Sequence, residues 1–456
     1  MKSQLLIAAA HSGAGKTTVT LGLLRALRRK GYSIQPFKCG PDFIDPIHHR
    51  TAAGRDSINL DRYMMSDAHI RRLYDHYSAN TDVCITEGVM GLFDGAVKSM
   101  GSSADLAKRL GLPVILILNA KAMAYTVAPV LYGLKKFDPA LHIAGVIFNF
   151  VETAGHYRLL QEACEDVRVP ALGYLPANKK LKIPSRYLGL DSGDADAAIE
   201  AAADHIERHL DLDLLLAATR VVNEPATRAD NDPATRQRTA DPAPAETDQL
   251  VHPVTPGRRT VLVARDAAFH FLYPENIHRL QQWGDIHYFS PLESTQLPVA
   301  ADLIYLPGGY PELYLSRLAG NVSLLEQLRA YAAAGGRIIA ECGGMMYLGR
   351  SIADETGNTY PMAGILDIAT GMQRKKLSLG YRTVLLPGGK AKGHEFHYSQ
   401  FEGQGHDALI PREAYNASGH RMDVPFFYTP HLMASYMHLY WGEEMGFIEN
   451  WLTGKT

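Results

Sequence analysis

"AHSGAGKTT", residues 10–18, decides the fold of the first half of this chain. It follows an apolar run, "QLLIAAA", and opens a segment with helical spacing, Thr17–Lys30. A glycine-rich turn between a strand and a helix aims successive backbone N–H groups and a helix N-terminus at one point, which makes an anion site. The pattern GxxxxGK[ST] is intact in its last part, Gly15-Lys16-Thr17, while Ala10 stands where the first glycine would be. The chemistry survives that change because backbone groups supply most of it. Lys16 is placed to contact the β- and γ-phosphates of ATP and the Thr17 hydroxyl to bind Mg2+. Gly13, Gly15 and Thr18 complete the nucleotide-facing set. The plain alternative is a turn that only caps a helix, but the strand before it and the helix after it favour the nucleotide.

Carboxylates near such a loop are expected at the carboxyl ends of neighbouring strands, where an open α/β sheet binds its ligands. "KCGPDFIDP", residues 38–46, supplies Lys38, Asp42 and Asp45; "TEGVMGLFDG", residues 86–95, supplies Glu87 and Asp94. One acid alone would be a cap or a turn residue. Four acids and a lysine beside a phosphate loop read as a site, with Thr17, Asp42 and Glu87 as the Mg2+ set. Asn149, at the end of "IAGVIFN", is a candidate adenine contact, with a turn-forming role equally open.

The chain has 456 residues, enough for two to three domains, with 46% hydrophobic and 21% charged residues, as in ordinary globular proteins. A net charge of −2 gives no electrostatic case for nucleic acid or an anionic membrane. The first apolar run is too short for a membrane span and leads into the loop, so it reads as a buried strand rather than a signal peptide. Four cysteines without a CxxC pair indicate neither a zinc site nor a disulfide framework, and a reducing cytoplasm fits them. From about Arg220 to Arg258 the sequence is rich in Pro, Ala, Thr and charge and poor in large apolar residues, which predicts a flexible linker over 220–258. Short apolar runs alternate with helical patterns on both sides of it. The expected architecture is therefore two α/β units: a parallel-sheet phosphate-loop domain over 1–219 and a second α/β domain over 259–456.

In the second domain, "GRIIAECGGMMYLG", residues 336–349, places Cys342 between a strand and a helix, followed by Gly343-Gly344. That is the geometry of a nucleophile elbow. A thiol at a helix N-terminus is expected to have a lowered pKa. The Gly343 N–H, with a second donor from "LPGGY" at Gly308-Gly309, would form an oxyanion hole. A small buried cysteine in a tight turn is the bland reading, and glycines at two strand ends weigh against it. The base is expected among 19 histidines. His438 in "ASYMHLYW" is the first choice, with His394 and His397 of "GHEFHYS" as competitors, on a strand expected to run over Leu432–Leu439.

Taken together, "SGAGKTTVTLGLLRALRRKG", "QPFKCGPDFIDP", "EGVMGLFDG", "VARDAAFHFLYPENI", "YLPGGYPELY", "AECGGMMYLG", "GHEFHYS" and "SYMHLYW" are collinear. They resemble the cobyrinate a,c-diamide synthase family of corrinoid biosynthesis. The resemblance implies a dethiobiotin-synthetase-like ATP domain joined to a flavodoxin-like class I-type glutamine amidotransferase domain. It implies that Cys342 forms a glutamyl thioester and releases ammonia with help from His438, with Gly309 and Gly343 as the oxyanion hole. It implies that the first domain uses ATP and Mg2+ to activate the a- and c-acetate carboxylates of cobyrinate as acyl phosphates. Phe43, Ile44, Asp45 and Asp94 would face the macrocycle. Where related amidotransferases carry an acid two residues past the histidine, this chain has Tyr440, so what orients His438 is open. Ammonia is lost to protonation and acyl phosphates to water, so the two sites need a closed passage, with a homodimer as one way to build it. Hydrogenobyrinate or a nickel sirohydrochlorin are alternative substrates. A different class, a phosphate-loop regulatory protein with an inactive amidotransferase domain, is disfavoured by the intact Lys16, Thr17, Cys342 and His438.

Overall fold

The computed structural model describes residues 2–178, 181, 192–220, 258–402 and 410–454. Residues 221–257 of the expected linker lie outside them. The chain divides into two compact units, Met1–Thr247 and Asp248–Thr456.

In the first unit the apolar runs become β1 (Ser3–Ala9), β2 (Ile34–Cys39), β3 (Ile58–Leu60), β4 (Val83–Glu87), β5 (Val114–Asn119), β6 (Ile143–Asn149) and β7 (Ala171–Leu175). Their order in the sheet is β3-β2-β4-β1-β5-β6-β7, all parallel. Continuous rather than alternating burial along β2, β4 and β6 requires cover on both faces. The cover comes from α1 (Lys16–Arg29), α2 (Ile44–Ala53), α3 (Asp67–Ser78), α4 (Ser103–Leu110), α5 (Val127–Phe137), α6 (Ala154–Val167), α7 (Ser192–His209) and α8 (Leu212–Ala218). The chain leaves β1 toward β2 on one side and later crosses from β4 to β5 on the other. The carboxyl ends of β1 and β4 therefore flank a topological switch point, where such sheets hold ligands. β3 and β7 were not legible in advance: three residues are too few to show a period, and Gly173 interrupts the apolar run of β7.

The helix behind the phosphate loop is held tightly. A methyl group on Gly22 would lie 2.7 Å from Ile206 Cγ1 and 2.8 Å from the Ala202 carbonyl oxygen, so α1 and α7 touch backbone to side chain. Beside that crossing the buried Arg25 donates to the carbonyls of Ala52 (3.1 Å) and Thr51 (2.8 Å) and pairs with Asp196 (2.7 Å) and Glu200. One guanidinium thus joins α1, the end of α2 and α7.

The second unit begins with β8 (Arg259–Ala264), α9 (Pro274–Trp283), β9 (Gly284–Phe289), β10 (Leu303–Leu306), α10 (Leu315–Gly320), α11 (Val322–Ala333), β11 (Arg337–Glu341) and α12 (Gly343–Leu348). It continues with β12 (Ser351–Ala353), β13 (Thr359–Pro361), β14 (Ala369–Gly371), β15 (Ser378–Leu386), β16 (Gly389–His397), β17 (Gln400–Glu402), β18 (Ile410–Asn416), β19 (Arg421–Tyr428), β20 (Leu432–Ser435), β21 (His438–Tyr440) and α13 (Gly446–Thr453). A ten-stranded sheet has the order β21-β16-β15-β18-β19-β20-β11-β10-β8-β9. The flavodoxin-like expectation fits its parallel part, β20-β11-β10-β8-β9. The other five strands are antiparallel, because short turns such as Pro387–Gly388 return the chain beside itself.

The single strand expected over Leu432–Leu439 is two strands. β20 ends at Ser435 beside β11, and β21 starts at His438 and pairs with β16 at the far end of the sheet. Five strands separate β21 from β11 in this order, yet the Leu439 N–H donates to Glu341 Oε1 at 3.0 Å. The sheet curls back on itself and brings its last strand to β11. Continuous burial across Tyr436 and Met437 hides the break from any apolar-run reading.

Removing the guanidinium in Arg25→Met leaves Asp196, Glu200 and two helix-end carbonyls without their shared donor. The two acids are part-exposed and rehydrate, so the cost comes mainly from the carbonyls left without a donor, about 1–3 kcal/mol. Calorimetry is expected to show a lower melting temperature for the variant; an unchanged one would show that the helices dock without this joint.

Candidate active sites

Backbone geometry sets the phosphate loop. Gly13 and Gly15 have φ of 83° and 93°, the left-handed region that glycine occupies without strain. Gly15 is doubly constrained, since a methyl group there would lie 2.1 Å from Asn149 Nδ2. Asn149 is buried and donates from Nδ2 to the Ala14 carbonyl (2.9 Å), while its Oδ1 accepts from the Phe150 N–H (3.0 Å). Its amide is thus bonded to the loop's own backbone. Lys16 Nζ donates to the Met90 carbonyl at 2.9 Å, so the "EGVMG" turn closes over the loop. Burial and the neighbouring Lys38 lower the Lys16 pKa.

Asp42, Asp45 and Glu87 converge, around a centre the sequence did not specify. Glu87, fully buried at the end of β4, accepts from Thr17 Oγ1 (2.6 Å), contacts His49 Nε2 (2.8 Å) and lies 3.3 Å from Lys38 Nζ. Lys38 is buried too, 2.5 Å from Asp45, 3.8 Å from Asp42 and 3.2 Å from the Gly88 carbonyl. Burial alone would discharge this ammonium, but Asp45, Glu87 and Asp42 outweigh it and hold its pKa above the ordinary lysine value. Burial likewise opposes the Glu87 charge, and Lys38 and His49 overcome it, holding the carboxyl well below the usual range. Lys38 therefore offsets part of the cluster's charge, while burial and then the neighbouring Asp42 and Glu87 push the Asp45 pKa well above the usual carboxylate range. Asp42 Oδ1 caps the start of α2, accepting from Ile44 (2.8 Å) and Asp45 (3.1 Å), which fixes the backbone of Phe43, Ile44 and Asp45. Asp94 is exposed and accepts from the Gly91 N–H at 2.9 Å, closing the 91–94 turn. His49, whose Nδ1 meets Ser57 Oγ at 2.9 Å, was missed. Its spacing of four from Asp45 on a helix was the available signal.

Thr17 Oγ1 and Glu87 Oε1 place two hard oxygen donors side by side, which suits Mg2+. Among the described residues no three His, Cys, Asp or Glu side chains are grouped to hold a metal ion. A Mg2+ ion here would complete its shell from phosphates and water, as is usual for it.

In the second unit, Cys342 follows β11 with φ 47° and ψ −108°, a strained conformation for a residue with a side chain. Its N–H donates to the Ser435 carbonyl (2.7 Å) and its own carbonyl accepts from the Met346 N–H (3.0 Å), so β20 and α12 hold the turn. The imidazole of His438 and the Cβ of Cys342 flank Gly308. A methyl group at Gly308 would lie 2.2 Å from His438 Cε1, 2.9 Å from its Nδ1 and 3.3 Å from Cys342 Cβ. A methyl group on Gly343 would lie 3.2 Å from the Gly309 nitrogen, so the expected pair of oxyanion donors is contiguous. His394 stacks on His438 with ring centroids 5.1 Å apart and bonds through Nδ1 to the Tyr273 hydroxyl (3.2 Å). His397 stacks on Tyr436 at 3.8 Å and bonds to the Ser399 carbonyl. Both competitors border the site, and His438 is the histidine that faces the nucleophile across Gly308.

The thiol pKa is the clearest correction. Burial, aided by the carboxylates of Glu312, Glu341 and Glu395, raises it far above the ordinary 9.0, and one Gly343 N–H does not compensate. A helix of six residues ending in a buried turn offers too little field to offset desolvation. His438 is pushed the other way, by burial and then by His394 and His397, and is a neutral imidazole. The resting pair is thus thiol and neutral base.

Gly308→Ala inserts a methyl group between base and nucleophile and is expected to lower glutamine hydrolysis by about 100-fold, the usual cost of a misplacement near 1 Å; an unchanged rate would separate His438 from the chemistry. Alkylation of Cys342 by iodoacetamide, followed by peptide mass spectrometry, is expected to keep accelerating beyond about pH 9. A plateau near neutral pH would restore the lowered-pKa reading.

Residues 5–190 match the CobQ/CobB/MinD/ParA nucleotide binding domain, and residues 260–445 match the CobB/CobQ-like glutamine amidotransferase domain. The hydrogenobyrinate a,c-diamide synthase of Pseudomonas aeruginosa is 39% identical over 443 residues, covering 96% of this chain and 94% of that protein. That of Brucella anthropi is 39% identical over 413 residues, covering 88% and 90%. The cobyrinate a,c-diamide synthase of Listeria monocytogenes is 39% identical over 417 residues, covering 88% of each. Among the described residues no helix is long and apolar enough to cross a membrane. The chain belongs to the cobyrinate and hydrogenobyrinate a,c-diamide synthase family, ligases that form C–N bonds with glutamine as the amido donor in an ATP-dependent reaction.

Proposed function

We propose that this chain amidates the a- and c-acetate side chains of hydrogenobyrinate, a corrinoid of cobalamin biosynthesis. The observation that carries the substrate is the near full-length similarity to hydrogenobyrinate a,c-diamide synthases from Pseudomonas and Brucella. Cobyrinate, the first expectation from sequence, is the second reading, favoured by the Listeria relative at the same identity.

A carboxylate is a poor electrophile and needs a leaving group. In the first unit the loop N–H groups of residues 13–17 and the Lys16 ammonium would bind the ATP phosphates and offset charge during transfer of the γ-phosphoryl group to the acetate. Thr17 and Glu87 would hold Mg2+, which supplies further charge neutralisation when bound. Asn149 keeps the loop in shape, and Lys38 holds Glu87 ionised and offsets part of the negative charge of Asp42, Asp45 and Glu87 beside the nucleotide. Phe43, Ile44, Asp45 and Asp94 would position the macrocycle. Ammonia then attacks the acyl phosphate and inorganic phosphate leaves.

In the second unit His438 takes the thiol proton as Cys342 Sγ attacks the glutamine carboxamide carbon. The N–H groups of Gly309 and Gly343 receive the oxyanion. The proton passes from His438 to the leaving ammonia, and water releases glutamate from the thioester. A buried neutral thiol beside a neutral imidazole suits this order, since charge appears only once substrate is in place.

Cys342→Ala is expected to lose glutamine-dependent amidation and keep turnover with ammonium salts, while Lys16→Ala fails with either nitrogen source. Ammonia-driven activity in Lys16→Ala would count against the acyl-phosphate route. Mass spectrometry of products from hydrogenobyrinate and cobyrinate, each with ATP, Mg2+ and glutamine, is expected to show two amidations on hydrogenobyrinate; amidation of cobyrinate alone would reverse the assignment.

A further inference from the structure

A histidine that works as a base needs a fixed orientation, and the residue two places beyond His438 is Tyr440, which has no carboxylate. A buried carboxylate does reach this strand, by another route. Glu341, the last residue of β11 and the one before Cys342, is 3% exposed and has a separate donor on each oxygen. Oε2 accepts from the Tyr305 hydroxyl at 2.9 Å, and Oε1 accepts from the backbone N–H of Leu439 at 3.0 Å. The fully buried Asn276 of α9 takes the other side of the same stretch: its Nδ2 donates to the Leu439 carbonyl (2.8 Å) and its Oδ1 accepts from the Trp441 N–H (2.9 Å). The peptide groups just after His438 are thus gripped from two elements, while the His438 ring rests on His394.

We propose that Glu341 is the positioning residue for His438, holding it through the backbone of Leu439, in the role that an acid on the imidazole fills elsewhere. Its place in the sequence makes it suited to this. Glu341 and Cys342 are consecutive, so one rigid strand end fixes the nucleophile by the Cys342 N–H on Ser435 and the base by the Glu341 carboxylate on Leu439. β21 is a three-residue strand on the edge of the sheet, paired with β16 alone, and such a strand has little of its own to fix its register. A polar carboxyl group buried among apolar side chains is costlier there than an apolar side chain, so stability alone does not account for Glu341. Burial pushes its pKa up to about 8, a strain that an apolar side chain of equal size would avoid.

This proposal rests on the glutaminase reading of the Cys342 site, so the assay starts from the full chain hydrolysing glutamine and losing that activity in Cys342→Ala; if the unaltered chain hydrolyses none, that reading fails first. In an active enzyme four variants are compared. Glu341→Gln keeps an oxygen for the Leu439 N–H and an N–H2 for the Tyr305 oxygen, and is expected within about threefold of the unaltered kcat. Glu341→Met keeps the volume and removes both acceptors, and is expected to lose about 100-fold in kcat with the glutamine KM within about threefold, because base and nucleophile move apart while the glutamine pocket stays. Glu341→Asp keeps the charge but falls one methylene short of Leu439, and is expected to behave like Glu341→Met. Tyr305→Phe removes the other partner alone and is expected to stay near the unaltered rate. Should Glu341→Met fail to fold, the contrast of Glu341→Gln with Glu341→Asp still decides between reach and charge. Equal kcat in all Glu341 variants, or an active Asp variant beside an inactive Gln variant, overturns the proposal.

Discussion

Both candidate sites depend on one backbone constraint: a strand must turn into a helix within a few residues, through a left-handed residue, so that amide N–H groups face a ligand. At Gly15 the left-handed residue is a glycine and costs nothing. At Cys342 it is a residue with a side chain, and holding it there costs of order 1–3 kcal/mol. The surroundings supply that hold. Cys342 is bonded to Ser435 through its N–H and to α12 through its carbonyl, and Gly343, Gly308 and Gly309 leave no room for bulk around it. Cys342 Cβ lies beside the place where Gly308 has no side chain.

The two units manage buried charge in opposite ways. Around the phosphate loop the charges are kept and paired: Lys38 sits among Asp42, Asp45 and Glu87, and His49 and Thr17 complete the Glu87 shell. That suits a site whose ligands are polyanions, since Lys38 holds Glu87 ionised and offsets part of the acids' charge. Around Cys342 charge is disfavoured by burial: thiol and imidazole are buried and neutral, and the neighbouring Glu341 carboxyl, its pKa pushed up to about 8, is engaged by a tyrosine hydroxyl and a backbone N–H. A neutral resting pair limits wasteful reaction of the thiol before glutamine arrives.

Much of this was legible in the residues. Glycine spacing with Lys16 and Thr17 located the phosphate loop, and "AECGG" located the elbow, because both turns demand residues that little else demands at that spacing. The acids at the ends of β2 and β4 were legible because a parallel sheet presents those ends together. Side-chain partners were not. That Asn149 bonds the backbone of the phosphate loop was not visible; the Cys342 thiol looked acidified and is not; His49 and Asn276 carried no sequence signal strong enough to mark them. Each of these depends on contacts between residues far apart in the chain.

The sequence by itself determined the two α/β units, the phosphate loop, the cysteine turn and the family, because local turn chemistry and strand-helix periodicity are properties of neighbouring residues. Only the tertiary structure decided that the strand bearing His438 is separate from the one before it, that a curled sheet returns it to β11, and that Glu341 meets it there. An apolar run reads the same whether it continues or breaks. Burial and hydrogen-bond satisfaction, which separate the two cases, are properties of the whole fold.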